Sequence, residues 1–352
     1  MMTLSKAGLY RATGQGAGAI LEVGTLDQPT WQRISRPFDD LSLMQVWAFA
    51  QAKTATGHAR PIHHLLRYRG KIIGAAQGIC YGLPLVGPLV VWVNRGPLWR
   101  EQDQAGDPNH LTAFLLALHD YWTVRHRALL RIAPPIPDHP DNLALMASCG
   151  YVAMPGNQWV STRIDLAQSI EALRANLNQK WRNCLNKAER LALGLEIGET
   201  ARLTAILLKD YKHFLIEKRY ATSVKPELIA QLQDRLAPDQ KMVILSADTG
   251  GQHLGSILIA GYGSVAEYLV GAIGADGKRH NAGQFLLWHA LVEMKRRGYR
   301  WFDVGGAHPQ HTPPGILHFK KGLSGRPYRL AGTFQASRSL VSRLLCRVLS
   351  RK

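Results

Sequence analysis

The chain has 352 residues, 46% hydrophobic and 19% charged, proportions of a globular protein long enough for two domains of about 150 residues each. Lys and Arg outnumber Asp and Glu by 43 to 25, a formal net charge of +18. Such a field concentrates polyanions (nucleic acid, anionic lipid headgroups, diphosphate-linked substrates), although excess arginine also simply keeps a surface soluble. Cys80, Cys149, Cys184 and Cys346 show neither CxxC nor metal-ligand spacing, which argues against a zinc knuckle or a disulfide scaffold. The first residues lack a hydrophobic signal core, and the most apolar run, 78–93, is broken by Pro84, Gly87 and Pro88. A reducing cytoplasm is the expected setting.

In chain order, residues 1–25 carry many Gly and Ala without sustained periodicity and read as a lead-in segment. Trp31 to Gln51 reads as helix or turn, with Ser42 a cap candidate. His63 to Tyr68 and Lys71 to Gln77 read as strands around a turn at Arg69-Gly70, and 78–94 as a further strand pair. His110 to Arg127 is an apolar amphipathic helix, Ala128 to Ala133 a strand, Leu143 to Ser148 a helix, and 158–164 a strand. Ser169 to Leu193 follows as one basic helix bearing Arg174, Lys180, Arg182, Lys187 and Arg190. Its expected buried face is Leu173, Leu177, Cys184 and Leu191, which turns the cations toward solvent.

The second half repeats the grammar of the first. Strands at Met242 to Ser246, His253 to Gly261 and Glu267 to Ala272 precede a helix over Gln284 to Arg297. That helix lines up Leu287, Leu291 and Met294, with Trp288 beside them. Tyr299 to Val304 is a half-buried strand ending at Gly305-Gly306, and a His/Pro-rich loop leads to Phe319-Lys320-Lys321-Gly322. A strand pair before a long helix, and a Gly-Tyr dipeptide after it (Gly150-Tyr151, Gly298-Tyr299), occur in both halves. The fold class is therefore α/β (α+β), two copies of one module, each a mixed sheet flanked by helices. The boundaries fall at 26–165 and 166–335, with a basic amphipathic tail at 336–352 suited either to an anionic membrane surface or to packing on the domain.

No G-x-S-x-G elbow, Walker A motif, dinucleotide fingerprint or HExxH is present. His308, His311 and His318 fit no standard metal spacing, so no metal site is expected. Asp303, ending its strand before Gly305-Gly306, is either an orienting carboxylate or a cap for the next turn, and the structural role is preferred.

The order NAGQFLLW, helix, G-Y-x-W-F-D-V-G-G, loop, F-K-x-G-L-x-G resembles the FemABX family of non-ribosomal peptidyl transferases, which are built from two acetyltransferase-like (GNAT-type) domains. The related "BioF2-like" acetyltransferases share the pattern. The resemblance covers the second half well and the first half loosely. It implies that Lys320 stabilises negative charge on a donor ester carbonyl, and that Phe319 shapes the site for a tRNA acceptor end. It also implies that Lys180, Arg182 and Lys187 hold the diphosphate of a cell-envelope (peptidoglycan-like) precursor. Donor contacts are expected from Arg279, Trp288, Gly305, Gly306 and Lys321. The donor implied is aminoacyl-tRNA, with no permanently bound cofactor.

Acetyl-CoA or another acyl-CoA is the alternative donor, for a GNAT-type N-acyltransferase in polysaccharide, lipid or amino-sugar biosynthesis. In the loop expected to cradle its pyrophosphate Arg279 is in position, but Ala282 replaces the first glycine and Gln284 the last small residue. A position that carries a phosphate-binding lysine in some members falls near Gln51, which leaves the acceptor open. A non-catalytic basic protein that docks polyanions is a third reading.

Overall fold

The computed structural model describes residues 5–11, 18–55, 59–83, 86–102, 106–156, 158–218 and 222–338. The chain begins with β1 (Ser5–Arg11), β2 (Ala19–Thr25), α1 (Gln28–Ser35), α2 (Trp47–Thr54), β3 (Ala59–Tyr68), β4 (Lys71–Leu83) and β5 (Gly87–Asn94). It continues through α3 (Pro108–His119), β6 (Leu129–Ala133), α4 (Pro140–Ser148), β7 (Val152–Ala153), β8 (Trp159–Asp165), α5 (Ile170–Ala175), α6 (Gln179–Arg190) and β9 (Gly194–Gly198). Next come α7 (Ala201–Lys218), α8 (Pro226–Arg235), β10 (Val243–Thr249), β11 (Gln252–Tyr262), β12 (Val265–Ile273) and α9 (Ala275–Arg279). The last elements are α10 (Ala282–Arg296), β13 (Trp301–Asp303), α11 (Pro314–Lys321), β14 (Arg326–Leu330) and β15 (Phe334–Ala336).

The chain divides into two compact units, Val160–Tyr328 and the residues on either side of it. The first unit holds a mixed sheet in the order β1-β2-β3-β4-β5-β6-β15-β7, and the second contains the sheet β14-β8-β13-β12-β11-β10-β9. Each sheet contains a parallel pair, β5 with β6 in the first and β12 with β13 in the second. In each case a helix links the two strands, α3 in the first unit and α10 in the second, as a parallel connection requires. The repeated strand pair, helix and strand of the sequence is therefore a repeated crossover.

Both cores follow from apolar spacing. In the first unit Phe114, Leu115 and Leu118 of α3 bury against Leu130, Ile132 and Phe334. In the second, Leu286, Leu287 and Leu291 of α10 bury with Leu185 of α6 and with Ile257, Ile259 and Phe302 of the sheet. Asp107 caps α3 through Asn109 N, and Pro108 occupies the first turn, where no amide donor is needed. The helix expected to run to Arg127 ends instead in a π-helical turn, Asp120–Arg125.

The partition differs from the expected one in three places. Residues 5–11 and 19–25 are paired strands of the first sheet, not a lead-in; alternation such as that of Leu21 and Val23, both buried, is short and diluted by Gly and Ala. Strand β8 pairs with β13 and so opens the second sheet, ahead of the boundary expected at residue 165. Conversely β15 returns to the first sheet between β6 and β7, so the second unit ends near Tyr328 and not at 335. Strand pairing of this range leaves no periodic signal. Of the tail at 336–352, residues 339–352 lie outside the described residues.

Candidate active site

The helix expected over 169–193 is two helices. Ser169 caps α5 through Ala172 N, and Asn178 caps α6 through Lys180 N; between them Asn176, Leu177 and Asn178 interrupt the ladder. The interruption resets the helical phase. Leu173 and Leu177 are buried as expected, but Trp181, Leu185 and Ala188 form the inner face of α6, and Leu191 is half exposed.

Trp181 is the residue that joins α6 to the Phe-Lys motif. Its ring lies 6.1 Å from that of Phe319. A side chain at Gly322 would meet the indole at 2.2 Å, so only glycine lets the two elements close. Asn178 N donates to Gly322 O at 2.9 Å, which fastens the start of α6 to the end of α11. The segment after the His/Pro-rich loop is thus a helix, with Phe319 and Lys320 in its last turn rather than on an exposed loop.

Lys320 is only 8% exposed. Its Nζ donates to Gly306 O at 2.8 Å and sits 5.3 Å from the centre of the Tyr268 ring. Gly305 has a positive φ of 70°, and a side chain there would collide with Tyr268 O at 2.4 Å. The Gly305-Gly306 turn is therefore built against β12, with the lysine on its outer carbonyl.

Sheet register supplies the counter-charges. Glu267 of β12 pairs with Asp303 of β13, and Asp303 with Arg163 of β8. Paired residues point to one face, here opposite the face that carries Ile164, Ala266 and Phe302 into the core. Glu267 accepts from Tyr262 Oη at 2.6 Å. Asp303, 1% exposed, accepts from Tyr328 Oη at 2.6 Å, Arg163 Nε at 3.3 Å, Gly305 N at 2.9 Å and Ser161 Oγ. Burial lowers the Lys320 ammonium from an ordinary 10.5 to about 8, against the upward pull of Glu267 and Asp303.

The other residues expected in the site are dispersed. Lys180 and Lys187 are exposed on one flank of α6; Arg182 lies on the flank toward α5 and donates to Ala175 O at 3.0 Å. Arg279 is exposed and pairs with Asp276. Lys321 is exposed beside Lys320. Trp288 is a core residue of α10, 4% exposed, with the Arg174 guanidinium 5.5 Å from its ring centre. The first turn of α10 is enclosed, with Ala282 and Gly283 buried and the Phe319 ring 3.5 Å from where a Gly283 side chain would begin. His308 and His311 stack at 4.4 Å, and among the described residues no group of three or more His, Cys, Asp or Glu stands together to hold a metal.

Ser161, Arg163, Glu267 and Tyr328 were not singled out in the sequence. Glu267, a lone acid opening the apolar run EYLVGAI, was the one local signal available.

Residues 172–321 match the family model described as an acetyltransferase (GNAT) domain. In fold, the chain is similar to FemX, with a TM-score of 0.75 at 14% identity over 93% of this chain and 99% of that one. L-PGS from Bacillus licheniformis gives 0.53 at 14% identity, over 92% and 96%. A conserved protein of unknown function from Bacteroides thetaiotaomicron VPI-5482 gives 0.58 at 10% identity, over 88% and 95%. No curated protein matches the chain in sequence. The chain is a two-module protein of the GNAT fold class. More narrowly, the match to an acetyltransferase (GNAT) domain lies within the second unit, at residues 172–321, and the chain as a whole shares its fold with FemX.

Proposed function

We propose that this chain is an aminoacyl transferase that moves an aminoacyl group from aminoacyl-tRNA to an amine of a diphosphate-linked cell-envelope precursor. The observation that carries the reading is Lys320, a buried ammonium in the last turn of α11, fixed on Gly306 O within the F-K-x-G-L-x-G motif. When an amine attacks an ester carbonyl, negative charge gathers on the carbonyl oxygen. A cation in a water-poor site stabilises that charge far more than one in bulk solvent. Gly306 O takes one of the three ammonium protons, which leaves two that this reading assigns to the oxyanion. The amide bond forms as the ester C–O bond breaks, the ribose hydroxyl leaves, and the amine gives up a proton.

In this reading Phe319 shapes the seat of the donor's acceptor end, Gly305 and Gly306 form the turn that holds Lys320, and Lys321 and Arg279 supply exposed positive charge along the donor. Arg182, half exposed with part of its guanidinium committed to Ala175 O, is the first candidate for the acceptor diphosphate, with Lys180 and Lys187 behind it.

An acyl-CoA-dependent N-acyltransferase is the second reading, favoured by the acetyltransferase family model over 172–321. Against it stands the enclosed first turn of α10, where a pyrophosphate would need open backbone amides. No helix among the described residues is long and apolar enough to cross a membrane; contact with an anionic membrane surface would fall to the basic tail, most of which lies outside the described residues.

Donor binding by the purified protein across a salt series separates the readings. Tight, steeply salt-dependent binding of charged over uncharged tRNA, weakened in Lys320→Ala, supports aminoacyl transfer. Saturable acetyl-CoA binding without preference for charged tRNA replaces it with the acyl-CoA enzyme. Binding of neither leaves a basic docking protein.

A further inference from the structure

The Lys320 ammonium does not rest on a rigid helix or strand carbonyl but on a two-glycine turn, and turns of that kind keep one geometry only when something outside them fixes it. Backbone bonds to β8 pin the residues on either side of the turn, Val304 N to Thr162 O at 3.0 Å and Ala307 N to Val160 O at 2.8 Å, and within it the polar groups of Gly305 are held by one side-chain cluster. Asp303 Oδ1 accepts from Gly305 N at 2.9 Å, and Ser161 Oγ lies within hydrogen-bond reach of both that carboxylate and, at 2.8 Å, Gly305 O, with its single proton shared between the two acceptors. The peptide groups on both sides of the Gly305 Cα are thereby held. Behind the carboxylate, Arg163 and Tyr328 hold its other oxygen, and Arg163 lies 4.9 Å from the Tyr328 ring centre. Ser161 and Asp303 are 0% and 1% exposed, so neither touches substrate.

We propose that Asp303 and Ser161 are positioning residues for Lys320: they clamp the Gly305-Gly306 turn so that Gly306 O presents the ammonium at one fixed place. The inference rests on the transferase reading for its purpose, though not for its test. The groups facing Lys320 are Glu267 and Tyr268 from β12 and Asp303 from β13; Tyr262 from β11, Arg163 from β8 and Tyr328 from β14 stand behind the two carboxylates. The adjacent Lys321, exposed on the same helix, is a built-in reference.

The experiment is pulse acetylation of the whole protein with acetic anhydride over a pH series, with the Lys320:Lys321 labelling ratio read by peptide mass spectrometry. In the wild-type protein Lys320 labels far more slowly than Lys321. Ser161→Ala raises the ratio by about fivefold, the factor that one neutral hydrogen bond is worth. Asp303→Asn keeps the shape but removes a carboxylate that helps Lys320 hold its proton, so the Lys320 labelling profile moves to lower pH. Tyr328→Phe shifts the ratio in the same direction by less. If transfer activity has been found, Ser161→Ala lowers kcat with little change in KM.

A Lys320:Lys321 ratio unchanged in Ser161→Ala overturns the clamp, whatever the loss of charge in Asp303→Asn does to the profile. So does a parallel rise at every lysine, which would mean general loosening. A specific shift at Lys320 in a protein that transfers no aminoacyl group upholds the clamp while removing the transferase reading.

Discussion

A lysine withdrawn from water must either give up its proton or recruit counter-charge, and Lys320 sits between these outcomes. Burial brings it to about 8, while Glu267 and Asp303 keep it from falling further, so at neutral pH it carries its charge. Under the proposed function Lys320→Ala lowers transfer by about 10²–10³, measured as kcat/KM. In the wild-type protein the rate falls as pH rises through about 8, because the ammonium is lost. Lys320→Arg, which stays charged, abolishes that alkaline limb but keeps only part of the rate, since a planar fork cannot reproduce the point contact on Gly306 O. The same shift enters stability with a definite sign. Between about 8 and 10.5 the unfolded chain binds the proton more tightly than the folded one, so this group's contribution to stability rises with pH across that window. The urea-midpoint difference between wild type and Lys320→Met should therefore change between those limits and level off below pH about 8. Lys320 and Phe319, on which the proposed function rests, stand together in one compact motif of the sequence. Ser161, Arg163 and Glu267 do not, since their meeting is a matter of strand register, and no local pattern reports which residue of one strand faces which of another.

Among the elements, the join between α6 and α11 positions the site. Trp181 fills the space that Gly322 leaves open, and Asn178 ties the two helix ends through Gly322 O. Gly322→Ala forces the helices apart and misplaces Phe319; the expected result is loss of transfer together with a destabilisation read as a lower urea midpoint. Trp181→Ala should cost about 3–5 kcal/mol by the same measurement, as for other large buried aromatics. A continuous helix was expected here because Leu173, Leu177, Cys184 and Leu191 suit one stripe. Two asparagines beside Leu177 prefer to cap rather than continue, and that local competition decided the phase of α6. Helix α7 shows the opposite difficulty: over 18 residues only Leu203, Leu207 and Tyr211 are buried, a stripe too narrow to stand out in the sequence.

For the molecule as a whole, the duplicated module was visible as repeated grammar, and the parallel pairs β5–β6 and β12–β13 are its structural form. What was hidden is the exchange of ends, β8 opening the second sheet and β15 closing into the first, because long-range pairing leaves no local trace. The net charge of +18 belongs to this scale as well. It predicts that polyanion affinity falls linearly on a log–log salt plot whether or not Lys320 is present, while discrimination between charged and uncharged tRNA is lost in Lys320→Ala. Filter binding over a salt series separates these two effects.

The most direct test of the proposed function is single-turnover transfer with purified protein, offering labelled aminoacyl-tRNA and labelled acetyl-CoA in turn to a diphosphate-linked peptide precursor. The account predicts that the aminoacyl label moves to the acceptor amine as an amide, that the reaction slows by about 10²–10³ in Lys320→Ala, and that acetyl-CoA gives nothing. Acetyl transfer from CoA with no aminoacyl transfer, or aminoacyl transfer indifferent to Lys320, would contradict it.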